Sequence, residues 1–164
     1  MTRTYIKDLK ENIGKEVLIK GWIDIRRDHG KLIFLDIRDM SGKVQAVALP
    51  NHKEAHEIAG KVRPEWVVEV TGKVNKRPEK LINPNLPTGE IEIEVRDLKI
   101  VSEAKTPPFE IADSKKVSEE LRLKYRYLDL RSQRMAKNLR LRHQVTSLTR
   151  QHLNQKGFIE IETP

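Results

Sequence analysis

The chain has 164 residues, enough for one complete domain and part of a second. It has no cysteine, which excludes disulfides, cysteine-based zinc sites and thiol nucleophiles. Charged residues make up 34% of the chain, and no apolar run approaches the roughly 20 residues of a membrane span, so a membrane protein is excluded. The N-terminal sequence lacks the apolar stretch of a secretory signal, which predicts a cytoplasmic location.

The net charge of +8 is unevenly distributed along the chain. Residues 1–114 carry 20 lysines and arginines against 19 acidic residues, whereas residues 115–164 carry 12 against 5. Basic proteins favour polyanionic partners, because each neutralised phosphate releases condensed counterions. Since the first part is nearly neutral, any nucleic-acid site there must depend on the local arrangement of side chains.

Five segments within the first hundred residues alternate apolar and polar side chains, the period of two that is typical of half-buried strands. They are residues 17–25, 32–38, 44–49, 66–74 and 90–100. The positions expected to face the core are Val17, Ile19, Ile23 and Ile25 in the first strand, Ile33, Leu35 and Ile37 in the second, and Ile91, Ile93 and Val95 in the last.

The connections between these segments suggest the order of a known barrel. Short turns are expected at residues 28–30 and 40–42, a helix over residues 51–62, and a long loop over residues 75–89. Five strands with a small helix between the third and fourth are typical of a mainly β OB-fold barrel, which commonly binds oligonucleotides. We assign residues 1–104 to this domain; strand order alone leaves open another small β-barrel.

The alternating strand pattern of the sequence ends by residue 104. Residues 105–117 are expected to form a linker, and Ser118 is a candidate N-cap for a helix. A long helix is expected from about Gln133 to Gln155, ended by Gly157, with a strand over residues 158–162. Because a domain does not normally stop one strand after its first long helix, we interpret residues 118–164 as the truncated start of a larger α+β domain.

Four kinds of side chain in the first domain are candidates for binding. Phe34 lies on the strand face opposite the core, where it either packs under the long loop or stacks on a base. Arg26 and Arg27 end the first strand and are either solvated or bind phosphates and base edges. Gln45 and Glu92 are either ordinary exposed residues or hydrogen-bonding partners for base edges.

No catalytic constellation is evident among these 164 residues. The sequence has no glycine-rich phosphate loop, nucleophile elbow or metalloprotease signature. His52 and His56 are spaced i, i+4, as a metal pair would be, but no third ligand is evident, so we interpret them as structural. We therefore assign no catalytic residue, metal site or cofactor to this chain.

Three stretches of the sequence together resemble the aspartyl-tRNA synthetases of bacterial type, which are class II enzymes. Gly21-Trp22 with RRDHGKLIFLDIRD at residues 26–39 resembles their anticodon-binding domain. RLKYRYLDLR at residues 122–131 resembles the lead-in to their catalytic domain, and GFIEIETP at residues 157–164 resembles the first class II signature. The stretches occur in the family order and span the chain; any one alone could be shared with the lysyl or asparaginyl enzymes.

The resemblance implies an anticodon-recognising N-terminal part of an enzyme that activates aspartate with ATP and Mg²⁺ and esterifies it to the tRNA for aspartate. By position, Phe34 would stack on the middle anticodon base, with Gln45 hydrogen-bonding nearby. Arg27 would meet the third base and Glu92 the first. Arg77 matches a further family contact.

The resemblance also limits what this chain could do. Pro164 belongs to the dimer-interface signature of a family whose complete enzymes form homodimers. The signatures that hold ATP, metal and aspartate would lie beyond Pro164, so we expect this chain alone to be inactive. His29 stands where some relatives have leucine, which leaves open whether the tRNA for asparagine is also accepted.

Two other functions are compatible with parts of the pattern. A free-standing OB-fold protein that binds tRNA or single-stranded nucleic acid, with a basic helical tail and no catalytic parent, predicts little preference among anticodons. A protein-interaction module predicts no affinity for nucleic acid, and only the near-neutral charge of residues 1–114 favours it.

Overall fold

Five strands of the chain form a closed barrel in the computed structural model, which describes residues 1–164. The strands are β1 (Glu16–Asp28), β2 (Ile33–Arg38), β3 (Lys43–Ala48), β4 (Val67–Lys76) and β5 (Ile91–Ser102). Their order around the barrel is β1-β2-β3-β5-β4, and only β3 and β5 pair in parallel. The predicted OB-fold is therefore confirmed, including the closure that strand order had left open.

The barrel core consists of aliphatic side chains from alternate strand positions. Leu35, Ile37 and Ile93 are fully buried, as their alternation predicts. Helix α1 (Lys53–Lys61) follows β3 and contributes Ala55 and Ala59 to the same core. A 3-10 helix at Ile6–Asn12 adds Ile6 and Leu9, which the sequence analysis missed.

A β-bulge in β1 changes which side chains share a face. Ile23 pairs with Ile37, but the register then shifts so that Ile25, rather than Asp24, pairs with Asp36. An extra residue in one strand inverts its alternation beyond that point. Ile25, which was expected to face the core, is 45% exposed, so that prediction is wrong.

The bulge also separates two neighbouring arginines. Arg27 pairs with Phe34 and shares its face, whereas Arg26 pairs with the core residue Leu35. A strand that alternated strictly from Val17 onward would have placed Arg26 on the outer face instead. The bulge thus decides which arginine accompanies Phe34.

The chain consists of two compact units, Met1–Thr106 and Pro107–Pro164. The second unit contains a 3-10 helix at Ile111–Lys116, then α2 (Glu119–Lys124), α3 (Arg126–Asp129) and α4 (Gln133–Gln155). No helix is both long and apolar enough to cross a bilayer.

Capping explains the helix limits in the second unit. The Ser118 hydroxyl accepts a hydrogen bond from the Leu121 amide, as its N-cap assignment predicts. Gly157 adopts a φ of 82°, and its amide donates to the Asn154 carbonyl, which ends α4 where predicted. The strand expected over residues 158–162 is absent, so that prediction is wrong: the alternating segment pairs with no other strand, and a strand requires such pairing.

Candidate nucleic-acid interface

An open groove of about 620 Å³ lies on the outer face of the barrel. It is formed by β1, β2, β3 and β5, the turn after β1, and the loop between β4 and β5. The lining residues are Arg27, His29, Leu32, Phe34, Gln45, Val47, Leu49, Arg77, Leu81 and Glu92. Five of the six residues named as anticodon contacts therefore lie together.

The polar side chains of the groove form a continuous network that spans four strands and the loop after β4. Arg27 Nη2 donates to Asp36 Oδ1 at 2.7 Å and to Gln45 Oε1 at 3.2 Å. Gln45 Nε2 donates to Glu92 Oε2 at 3.3 Å. Arg77 Nε lies 3.4 Å from the same Glu92 oxygen. We call these five residues the groove network; it holds donors and acceptors at fixed positions along the groove.

Arg77 keeps unused hydrogen-bonding capacity in this network. Its side chain is only 6% exposed, and its Nη1 donates to the carbonyls of Leu81 and Gly89 at 3.4 Å. The contact between Nε and Glu92 is an ion pair without hydrogen-bond geometry, so this buried N–H has no hydrogen-bond partner. A buried donor without an acceptor is unfavourable, and the nearby negative charge of Glu92 offsets part of that cost.

Asp36 anchors the other end of the network and is the functional candidate that the sequence analysis missed. The alternation of β2 places Asp36 on the same strand face as Phe34, away from Leu35 and Ile37. The sequence pattern does not indicate that Asp36 is only 7% exposed. Burial raises the pKa of this carboxyl, while the charges of Arg27 and Lys43 oppose that rise. The Asp36 carboxylate accordingly depends on Arg27 for compensation and fixes the direction of its guanidinium.

Apolar side chains surround the polar network. Phe34 is half-buried, and the His29 ring meets it edge to face, with centroids 5.4 Å apart and planes at 88°. Leu32 and Leu81 are exposed beside it. An aromatic ring that is held in place between exposed apolar side chains and polar groups can stack on a base. The neighbouring polar groups can then hydrogen-bond to the edges of that base.

Arg26 does not join the other predicted site residues. Its guanidinium Nη1 donates to the Gly60 carbonyl at the end of α1, and the side chain lines a different concavity. Pro164 is exposed in the second unit.

The two histidines spaced like a metal pair have separate partners. His52 Nε2 lies 3.7 Å from Glu94 Oε1, and His56 Nε2 lies 3.2 Å from the Lys31 carbonyl. No group of three or more histidine, aspartate or glutamate side chains is arranged to hold a metal ion.

A family model described as OB-fold nucleic acid binding domain matches residues 17–101, which is more than half of the chain. The chain belongs to this family. Residues 118–164, within the second unit, match a model described as tRNA synthetases class II (D, K and N). The OB-fold domain and the following helices thus correspond to two consecutive parts of such synthetases, as the sequence motifs indicated.

Two curated proteins that are similar to this chain are both named as aspartate–tRNA ligases. An aspartate–tRNA(Asp/Asn) ligase from Halothermothrix orenii is 56% identical over 155 residues, which cover 94% of this chain and 26% of that protein. An aspartate–tRNA ligase from Oceanobacillus iheyensis is 51% identical over 156 residues, with the same two coverages. The chain therefore spans about a quarter of the length of the curated relatives it matches.

Solved structures of synthetases share the fold of this OB-fold chain. An aspartyl-tRNA synthetase from Entamoeba histolytica has a TM-score of 0.90 at 26% identity, covering 100% of this chain and 39% of that one. An asparaginyl-tRNA synthetase from Pyrococcus horikoshii, complexed with asparaginyl-adenylate, has a TM-score of 0.83 at 30% identity, covering 100% and 37%.

Proposed function

We propose that the chain is the anticodon-recognising part of an aspartate–tRNA ligase that works in the cytoplasm. The observation that carries the proposal is the groove, in which a half-buried aromatic ring adjoins the connected polar groups of the groove network. Single-strand readers combine these same features, a stacking platform and donors or acceptors directed at base edges.

Each groove residue has a role that follows from its chemistry and surroundings. Phe34 stacks on the middle anticodon base, and the perpendicular contact with His29 fixes the orientation of the Phe34 ring. Arg27, directed by Asp36, donates to the third base, with Gln45 beside it. Glu92 accepts from the N–H groups of a guanine at the first position, an edge that a carboxylate can pair with.

Binding exchanges one set of hydrogen bonds for another. In the free chain Gln45 is hydrogen-bonded to both Arg27 and Glu92. The groups that would contact bases therefore satisfy one another when no RNA is bound. A base whose donors and acceptors match can replace these contacts without leaving a buried group unpaired. A wrong base breaks them without replacement, which is the origin of discrimination.

The complete enzyme, in this proposal, is a homodimer that activates aspartate with ATP and Mg²⁺ and esterifies it to the tRNA for aspartate. We assign none of the ATP, Mg²⁺ or aspartate contacts to this chain; Pro164 would lie at the dimer interface. The match of residues 118–164 to class II synthetases supports this enzyme over a free-standing OB-fold protein, because the similarity continues beyond the barrel.

The test is fluorescence anisotropy with the anticodon stem-loop of the tRNA for aspartate, run beside a stem-loop with a replaced anticodon at two salt concentrations. We expect a preference for the native loop that persists at the higher salt, because base contacts are less screened than phosphate contacts. If both loops bind equally and both affinities weaken as salt rises, base readout is contradicted. That result would favour non-specific binding of phosphates by the basic C-terminal part of the chain. No binding to either loop would favour a protein-interaction module.

A further inference from the structure

Two arginines of the barrel unit differ from all the others in their surroundings. Residues 1–106 contain seven arginines. Five of them have a carboxylate oxygen between 2.6 and 3.9 Å away; they are Arg3, Arg27, Arg38, Arg77 and Arg96. Arg26 and Arg63 have no carboxylate partner, and both line the same concavity. The guanidinium group is a permanent cation, so this concavity carries two positive charges that are not paired directly with a carboxylate.

The concavity, which we call the Arg26–Arg63 pocket, is strongly basic. Its volume is about 640 Å³, and Lys61 and Lys105 add two further cations without carboxylate partners. Glu103 is the only acidic residue in its lining. Four cations facing one carboxylate in a concave surface attract anions more than the nearly neutral remainder of this unit does.

The walls of the Arg26–Arg63 pocket are fixed by hydrogen bonds to the backbone. Trp66 Nε1 donates to the Ala104 carbonyl at 3.0 Å, which ties the segment after β5 to the start of β4. Arg26 donates to the Gly60 carbonyl at the end of α1, which holds its guanidinium at the pocket wall. Arg63 follows α1 and has an exposed side chain with no such tether. Its forked donors are therefore free for a bidentate contact with an anion such as phosphate.

The position of the pocket relative to the groove indicates which anion it receives. Arg26 and Arg27 are consecutive, so their Cα atoms are about 3.8 Å apart. Because of the bulge in β1, Arg27 faces the groove while Arg26 faces the pocket. An RNA whose loop bases lie in the groove carries a phosphate at every nucleotide, and a backbone that leaves the groove at this end of β1 would meet the pocket. The adjoining cations match that backbone and not the bases.

We propose that the Arg26–Arg63 pocket is a second RNA contact, which binds backbone phosphates of the stem next to the loop held in the groove. This inference rests on the proposed function of the groove. The pocket contributes affinity without sequence preference, whereas the groove contributes the preference for the anticodon.

The experiment compares the parent chain with Arg63→Ala, by fluorescence anisotropy over a series of salt concentrations. We expect Arg63→Ala to weaken binding of the stem-loop roughly 3- to 10-fold and to reduce the slope of log K against log salt by about 1. The loss should be equal for the native and the replaced anticodon. With a loop oligonucleotide that has no stem, parent and variant should bind alike.

The matched control is Arg96→Ala, another exposed arginine of the barrel that is paired with Glu16 at 3.3 Å. This variant should bind the stem-loop as the parent does, and thermal melting followed by circular dichroism verifies that both variants fold. An Arg63→Ala curve that coincides with the parent at every salt concentration overturns the proposal. So does a loss confined to the native anticodon, or an equal loss on the stemless loop. Failure of the groove proposal would instead remove the anticodon preference of the parent and leave the Arg63→Ala comparison interpretable.

Discussion

Aliphatic side chains of β2 such as Leu35 and Ile37 are fully buried, whereas Leu141, Val145 and Leu148 of α4 are each more than half exposed. The barrel closes around its own core, so strand pairing and burial support each other within residues 1–106. Helix α4 has no buried residue and depends on its caps and internal hydrogen bonds. The barrel should therefore fold without further partners, while the apolar positions of α4 contribute little to the stability of this chain.

The largest expected effect is the difference in the free energy of unfolding between two side-chain truncations, one in each unit. Ile37→Ala should lower the free energy of unfolding by about 2–5 kcal/mol, because it leaves a cavity in a closed core. Leu148→Ala should change it by less than about 0.5 kcal/mol, since the side chain is 65% exposed. Urea unfolding measures both losses when it is followed by tryptophan fluorescence for the barrel, which contains Trp22 and Trp66, and by far-ultraviolet circular dichroism for the helical unit. Similar losses in the two variants would show that the two units do not differ in how much their apolar side chains stabilise the chain.

A second pair of variants tests whether RNA affinity follows the same division. Phe34→Ala should weaken binding of the native stem-loop roughly 5- to 150-fold, the range of a lost base stack. Phe158→Ala removes an equal ring from the second unit, where it is 64% exposed, and should leave the affinity unchanged. Anisotropy titrations give both values. A circular dichroism melt of Phe34→Ala that showed an unfolded chain would mean that Phe34 is a core residue instead.

The smallest effects concern two arginine–carboxylate pairs with the same 2.7 Å separation, one in each unit. The hydrogen bond from Arg150 lowers the pKa of the exposed Glu160 carboxyl, whereas burial raises the pKa of Asp36 despite Arg27. At about 1 M salt, where the screening length is about 3 Å, the shift of Glu160 should shrink and that of Asp36 should persist. Carboxyl ¹³C NMR titrations measure both shifts.

The same titration gives a variant test at Asp36. Arg27→Ala should raise the pKa of Asp36 further, because the largest opposing charge is removed. In the pH range just above 3.8, the folded chain then holds a proton at Asp36 that the unfolded chain releases. This group therefore contributes less stability as pH rises through that range. A pKa of Asp36 that falls in Arg27→Ala would contradict the assigned causes.

The sequence predicted most of the barrel and most of the groove, for physical reasons that also explain the failures. Alternation and the family motif together indicated Phe34, Gln45, Arg77 and Glu92. The bulge in β1 was not predictable by alternation, since Ile23 and Ile25 continue the apolar pattern through it. The role of Asp36 was hidden because burial of an outer-face side chain depends on tertiary neighbours rather than on strand parity.

Recognition of the anticodon by the barrel is tested by mapping where the RNA binds on the ¹⁵N-labelled chain. The amide chemical shifts are recorded while the anticodon stem-loop of the tRNA for aspartate is added. We expect the largest changes around Arg27, Phe34 and Gln45 and in the loop between β4 and β5, with smaller changes near Arg63. Changes confined to the basic helix α4, with the groove unaffected, would contradict recognition by the barrel.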